Sequence, residues 1–197
     1  MKNYNIWKIA LYIALTVFTT SSLMAQQLPK VEKKHGTWQM TVDGEPYLML
    51  AGELHNSSTG SSHYMADIWQ RMAKKNLNTV IAAVSWELVE PEEGKFDFSL
   101  VGDMIRGARE SNLRLVLLWF GSWKNGMSSY VPGWVKRDTK RFPLAHFKDG
   151  EPIAALSALG KNAMKADTRA FGELMKYVRH EDSIAHTVIA VQIENEV

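Results

Sequence analysis

Cysteine is absent from all 197 residues. No disulfide framework can therefore support the chain, whatever compartment it occupies, and its fold must rest on a packed core. The same absence excludes a Cys-ligated metal and a lipid anchor attached at a signal-cleavage cysteine. A surplus of one charge sign is also missing. Lys+Arg number 23 and Asp+Glu 21, a formal net charge of +2, and Lys2 and Lys8 alone account for it. A nucleic-acid partner would need a basic patch, and none is implied. Nor is there an apolar run of the about 20 residues that cross a bilayer. The run at residues 9–18 stops short of that.

What stands at the N-terminus is more specific. Lys2 and Lys8 precede the apolar run, and residues 19–25 are small and polar, ending Leu23-Met24-Ala25. This is the pattern of a secretory signal peptide cut after Ala25, with Leu23 large enough to shift the cut slightly. The expected product is secreted or periplasmic and free of the membrane after cleavage. Residues 26–36 are polar and read as a disordered or loosely docked lead-in, leaving 37–197 as one domain. Hydrophobic residues make up 46% of the chain, ample for a core. The length is nevertheless short for a complete eightfold β/α barrel, about 250 residues. Seven Trp and six Tyr suit stacking on pyranose faces and suit core packing equally.

Periodicity divides the domain. Residues 38–42 alternate, Asp43-Gly44 follows, and a second run begins at Pro46, which predicts a hairpin. Short apolar runs at 48–54, 79–86, 113–120 and 188–193 predict strands. Between them, Met65, Ile68, Trp69 and Met72, then Leu100, Val101, Met104, Ile105 and Ala108, then Phe171, Leu174, Met175 and Val178 fall at helical spacing. Asn76 and Asn112 sit where the first two helices should stop. Near-continuous apolar strands alternating with amphipathic helices predict a parallel sheet buried on both faces. The first strand runs into Gly52-Glu53-Leu54-His55-Asn56, without the glycine-rich turn of an open nucleotide-binding sheet. The expected fold is therefore α/β, a (β/α)8 TIM barrel of which about the first four β/α units are present, preceded by a β-hairpin.

Barrel chemistry sits at the C-terminal ends of strands. Those ends carry His55 and Asn56, Trp86 and Glu87, Trp123, Lys124 and Asn125, and Gln192-Ile193-Glu194-Asn195-Glu196, after strand bodies that are almost wholly apolar. Polar groups there are costly to bury unless paired or used. Trp86 and Trp123 can stack on sugars or pack in a core. His55, Asn56, Glu87 and Asn125 stand where hydroxyls would be read. Glu194 shares a strand face with Glu196 and is expected deeper, paired with a cation such as Arg114.

The run Asn78-Thr79-Val80, Trp86, Glu90-Pro91, Gly94 and Phe96-Asp97-Phe98, with Gln192-Ile193-Glu194-Asn195-Glu196, resembles the second- and fourth-strand regions of family 35 glycoside hydrolases. These are β-galactosidases of the large clan of retaining barrel glycosidases. The resemblance covers residues 37–197. It implies a retaining β-glycosidase acting on β-galactosides or related carbohydrates without a cofactor or metal. Glu196 would be the acid/base, and Asn195 would hydrogen-bond the sugar 2-hydroxyl. Such chemistry needs a second carboxylate about 5–5.5 Å away, with the acid's pKa raised.

The sequence departs from the family where sugars are read. His55-Asn56 replaces His-Tyr, Trp86-Glu87 replaces Trp-Asn, and Gly121-Ser122-Trp123 with Lys124-Asn125-Gly126 replaces Gly-Pro-Tyr and its Cys-Ala-Glu segment. Residues 121–141 look like a divergent branch with affinities to family 42. The family's nucleophile, a Glu at the end of strand seven, has no counterpart here. The 197-residue chain by itself is thus expected to be inactive and, with two unpaired strand edges, poorly folded. The alternatives are a degenerate barrel that binds carbohydrate without cleaving it, an inactive fragment, and a self-associating half.

Overall fold

The computed structural model describes residues 27–124 and 129–195. The signal segment, Asn125 and Glu196 lie outside them. An antiparallel ribbon comes first, with β1 at Lys30–Lys34, β2 at Thr37–Val42 and β3 at Glu45–Pro46. Both of its turns pair residues with positive φ, His35-Gly36 (50° and 84°) and Asp43-Gly44 (54° and 85°). Glycine accepts this region without a Cβ penalty, and such two-residue turns match strand twist. The predicted hairpin at Asp43-Gly44 is present. The lead-in is not wholly loose, because Lys30–Lys34 pairs along its length with β2. Glu32 lies between Lys30 and Lys34, 3.0 and 2.9 Å from their ammonium groups. Polarity concealed this strand: its partner and turn specify it, not an apolar face.

The main sheet is parallel, as expected, with strands in chain order: β4 (Ala51–Glu53), β5 (Thr79–Ser85), β6 (Arg114–Phe120) and β9 (Val188–Gln192). Register runs Gly52, Val80 and Leu115 on adjacent strands, and Ala83, Leu118 and Gln192 one layer higher. Alternation sends successive side chains to opposite faces. Val80, Ala82 and Val84, with Leu115, Leu117 and Trp119, join the main core with helices α1 (Ser62–Ala73), α3 (Ser99–Glu110) and α5 (Lys161–Glu181). Ala83, Leu118 and Phe120 form a second, smaller cluster with Ile81 and Tyr130 on the other face. Leu115, Leu117, Ile105 and Leu174 are fully buried, each worth about 1.5–3 kcal/mol of transfer free energy.

The helices start and stop on local signals. Ser61 caps α1 by accepting from the Tyr64 amide at 3.2 Å, and Asp97 accepts from Ser99 N at 2.9 Å where α3 begins. Asn76 and Asn112 take φ of 59° and 56°, the left-handed stop read from the sequence. The helix-to-strand connections are then short, at 74–78 and 111–113. The strand-to-helix connections are long. Residues 86–98 contain the one-turn helix α2 (Trp86–Val89). Residues 121–160 contain α4 (Gly133–Lys136) and the small antiparallel pair β7 (Leu144–His146) and β8 (Pro152–Leu156).

Arg114 has a different partner from the one expected. Its guanidinium meets Asp43 at 2.6 Å and the carbonyls of Ala185 and His186 at 2.6 and 2.9 Å. It ties the ribbon to the base of the sheet. Glu194 lies beyond the opposite end of a parallel strand pair, out of reach.

Candidate functional site

Because the strands run parallel in chain order, their C-terminal ends line one edge. Leu54, at the end of β4, donates its amide to Ile81 O at 2.9 Å. His55 beyond it is exposed and Asn56 half-buried. Thr59 anchors the following turn by donating to Ala83 O at 2.6 Å.

At the end of β5 the two neighbouring candidates part company. Trp86 is 0% exposed. Its indole N–H donates to Glu90 Oε2 at 2.8 Å, and its ring meets Trp134 edge-on at 5.8 Å between centroids. Of the two roles open to Trp86 in the sequence, sugar stacking is corrected to core packing, since the ring has no accessible face. Glu87 is partly open. Lys136 donates to it at 3.1 Å and also to Ser129 O at 3.0 Å, and the Glu87 amide donates to Tyr130 O at 2.9 Å. The returning loop thus fastens onto the end of β5.

Glu90, also 0% exposed, accepts from Trp86, from Gly94 N at 2.7 Å and from Arg169 of α5. Arg141 grips the neighbouring Glu93 with two nitrogens, at 2.8 and 2.6 Å. This bidentate contact holds the Glu93 carboxyl below its ordinary value. The network is structural and fixes the 86–98 connection against α5.

The ends of β6 and β9 meet over a pair of carboxyl groups. Asp167, on the buried stripe of α5, accepts from Trp119 Nε1 at 2.7 Å and from Ser122 N and Oγ at 2.6 and 2.5 Å. Glu194 accepts from Trp123 N at 2.9 Å. Burial, then the adjoining Asp167 carboxylate, push the Glu194 carboxyl up to about 8 from 4.5. The site therefore favours the neutral form of Glu194. Gly121 is required here, because a Cβ would stand 2.5 and 2.6 Å from the Asp167 oxygens. Next along, Lys124 and Asn195 form a parallel bridge. Asn195 is buried, and its Oδ1 has no hydrogen-bond partner among the described residues.

A cavity of about 580 Å³ opens beside this pair, lined by Trp123 and Glu194, by Met164, Asp167 and Phe171 of α5, and by Leu156. It lies on the helix side of the sheet. Of the sequence candidates only Trp123 lines it, and His55, Asn56 and Glu87 do not. Among the described residues no group of three or more His, Asp or Glu side chains is placed to hold a metal.

Sequence reasoning missed Asp167, Ser122, Tyr130 and Lys136. Asp167 carried a signal, a lone carboxylate within the stripe Ala163, Ala166, Ala170 and Leu174 that α5 buries. The others are placed by the long loop, which no periodicity describes.

Comparison with known proteins gives the family and the fold. The family described as glycosyl hydrolases family 35 matches residues 39–140. A β-galactosidase of Xanthomonas manihotis is 38% identical over 73 residues, 37% of this chain and 12% of that protein. Human β-galactosidase-1-like protein 3 is 28% identical over 166 residues, 82% of this chain and 23% of that protein. Arabidopsis thaliana β-galactosidase 13 is 29% identical over 181 residues, 84% and 19% respectively. The chain thus spans less than a quarter of the length of these relatives. Among solved structures, an exo-β-1,4-mannosidase of Opitutaceae bacterium strain TAV5 superposes with a TM-score of 0.53 at 16% identity, over 75% of this chain and 24% of that one. The catalytic domain of a β-amylase from Paenibacillus polymyxa gives 0.54 at 16%, over 68% and 34%. At such identity these two speak to the fold alone.

Proposed function

Because this chain belongs to glycosyl hydrolases family 35, we propose that it supplies the first four β/α units of the (β/α)8 catalytic barrel of an exported retaining β-glycosidase acting on β-galactosides. The observation that carries this reading is Asn195. It is buried at the C-terminal end of β9, immediately before Glu196, with an amide oxygen that meets no partner among the described residues. Buried polar atoms are nearly always paired, so an unpaired one at the edge where strands end suits a group kept for a ligand hydroxyl.

In this reading Glu196 protonates the departing glycosidic oxygen. A carboxylate from outside residues 1–197 attacks the anomeric carbon, and Glu196 then removes a proton from the water that releases the sugar. Asn195 bonds the 2-hydroxyl. His55, Asn56, Trp123 and Asn125 line the approach. Glu87, fastened to Lys136, stands where the family places Asn and would read the sugar's hydroxyls differently. Export follows cleavage after Ala25, which N-terminal sequencing of the secreted protein checks.

Glu196→Gln in the complete protein tests the assignment. Hydrolysis of β-galactosides with poor leaving groups should fall by about 10²–10⁴-fold, while aryl substrates with activated leaving groups lose far less in their first step. Equal rates for wild type and variant on both substrates sink it.

A further inference from the structure

We propose that Asp167 is a positioning residue, which clamps the ends of β6 and β9 together and so fixes Asn195 in the place from which it meets the sugar; the proposal rests on the function inferred above. Asp167 belongs to α5, yet its carboxylate holds the β6 side through Trp119 Nε1, Ser122 N and Ser122 Oγ. On the β9 side the same loop meets Glu194, which accepts from the Trp123 amide at 2.9 Å and lies 3.4 Å from Ser122 Oγ. Ser122 has a single hydroxyl hydrogen. At 2.5 Å to Asp167 against 3.4 Å to Glu194, that hydrogen goes to Asp167.

Three donors thus reach the Asp167 carboxyl, while burial and Asp167 hold the adjoining Glu194 carboxyl above its ordinary value. Glu194 in its neutral form can donate to Asp167, which adds to the hold of Ser122 and the Trp123 amide. Among titratable neighbours, Asp167 raises the Glu194 carboxyl. From β6 and its loop the pair is faced by Trp119, Ser122 and the Trp123 amide. Lys124 stands 5.4 Å over the Phe120 ring, on the other face of the sheet.

Two further features make the contact specific. Glu194 has φ of 60°, a left-handed conformation uncommon for a glutamate. It lies immediately before Asn195, so its backbone sets the direction in which Asn195 leaves the strand. Gly121 provides the space for the Asp167 oxygens. Without the clamp, the bridge between Lys124 and Asn195 would be the next link to loosen.

The test uses the complete protein. kcat/KM is measured for an aryl β-galactoside and its 2-deoxy counterpart with wild type, Asp167→Asn, Asn195→Ala and the double variant, and a melting curve confirms folding at the assay temperature. Asp167→Asn should lose at least 10-fold on the parent sugar and much less on the 2-deoxy sugar, and the double variant should be no worse than Asn195→Ala. If Asp167→Asn does not fold, Ser122→Ala, which removes one donor, replaces it in the same cycle. Additive losses, or equal losses on both sugars, overturn the positioning role alone. Wild-type protein that turns over neither sugar overturns the functional reading as well.

Discussion

Glu194→Gln isolates the buried proton. Glutamine copies the protonated acid, with an amide N–H to give to Asp167 and an oxygen to accept from Trp123, but it does not titrate. In wild type the unfolded chain ionises Glu194 near 4.5, whereas the folded protein keeps the proton up to about 8. Between these values the folded state binds more protons. The wild type's stability from this group is therefore complete below about 4.5 and falls until about 8. Unscreened, the gap amounts to about 5 kcal/mol. Glu194 is half-buried at the cavity wall, where water damps the effect to about 2 kcal/mol. The complete protein, unfolded in urea at intervals from pH 4.5 to 8.5, gives the assay. The variant should match wild type at pH 4.5 and exceed it by about 2 kcal/mol at pH 8.5. Titrations away from the Asp167–Glu194 pair cancel in the difference. A flat difference across this range, or one that shrinks as pH rises, refutes the placement of the proton.

Gly121→Ala should drive the Asp167 carboxylate away from Ser122 and lower stability by about 1–3 kcal/mol, as overpacking does. Activity should fall with it, and thermal melting beside kinetics checks both; unchanged melting would mean that α5 can retreat. Glu90→Ala removes the acceptor of the Trp86, Gly94 and Arg169 donors and leaves them facing a void. A loss of about 3–5 kcal/mol is expected in urea unfolding, and a loss under about 1 kcal/mol would show that the network contributes little.

The parts of the fold legible in the sequence are those that a short window determines. The four apolar strands, the three long amphipathic helices, the stops at Asn76 and Asn112 and the Asp43-Gly44 turn each follow from local periodicity or backbone preference. β1 is specified by its pairing with β2, which no window of Lys30–Lys34 contains. Trp86 illustrates another limit. A tryptophan at a strand end reads alike whether it faces a cleft or the core, and burial against Trp134, supplied by the long loop, decides the matter. For Glu194, charge sign suggests a cation as its partner. Its neighbour is instead a second acid, Asp167. Arg114 starts β6 and Glu194 follows β9, so a parallel register sets them roughly 20 Å apart at about 3.3 Å per residue.

The unequal connections decide where this chain can change in length. Where a helix hands over to a strand, at 74–78 and 111–113, one left-handed asparagine makes the turn, and an inserted residue would rotate the following strand and exchange its two faces. Where a strand hands over to a helix, at 86–98 and 121–160, the chain wanders and is then fastened by a few long side chains, Lys136 to Glu87 and Arg141 to Glu93. One rim of the sheet is thus closed to insertion, and the other is open to it. Insertions and deletions that retune ligand recognition can accumulate on the open rim, while the layers of Val80, Leu115 and Leu117 beneath keep their register.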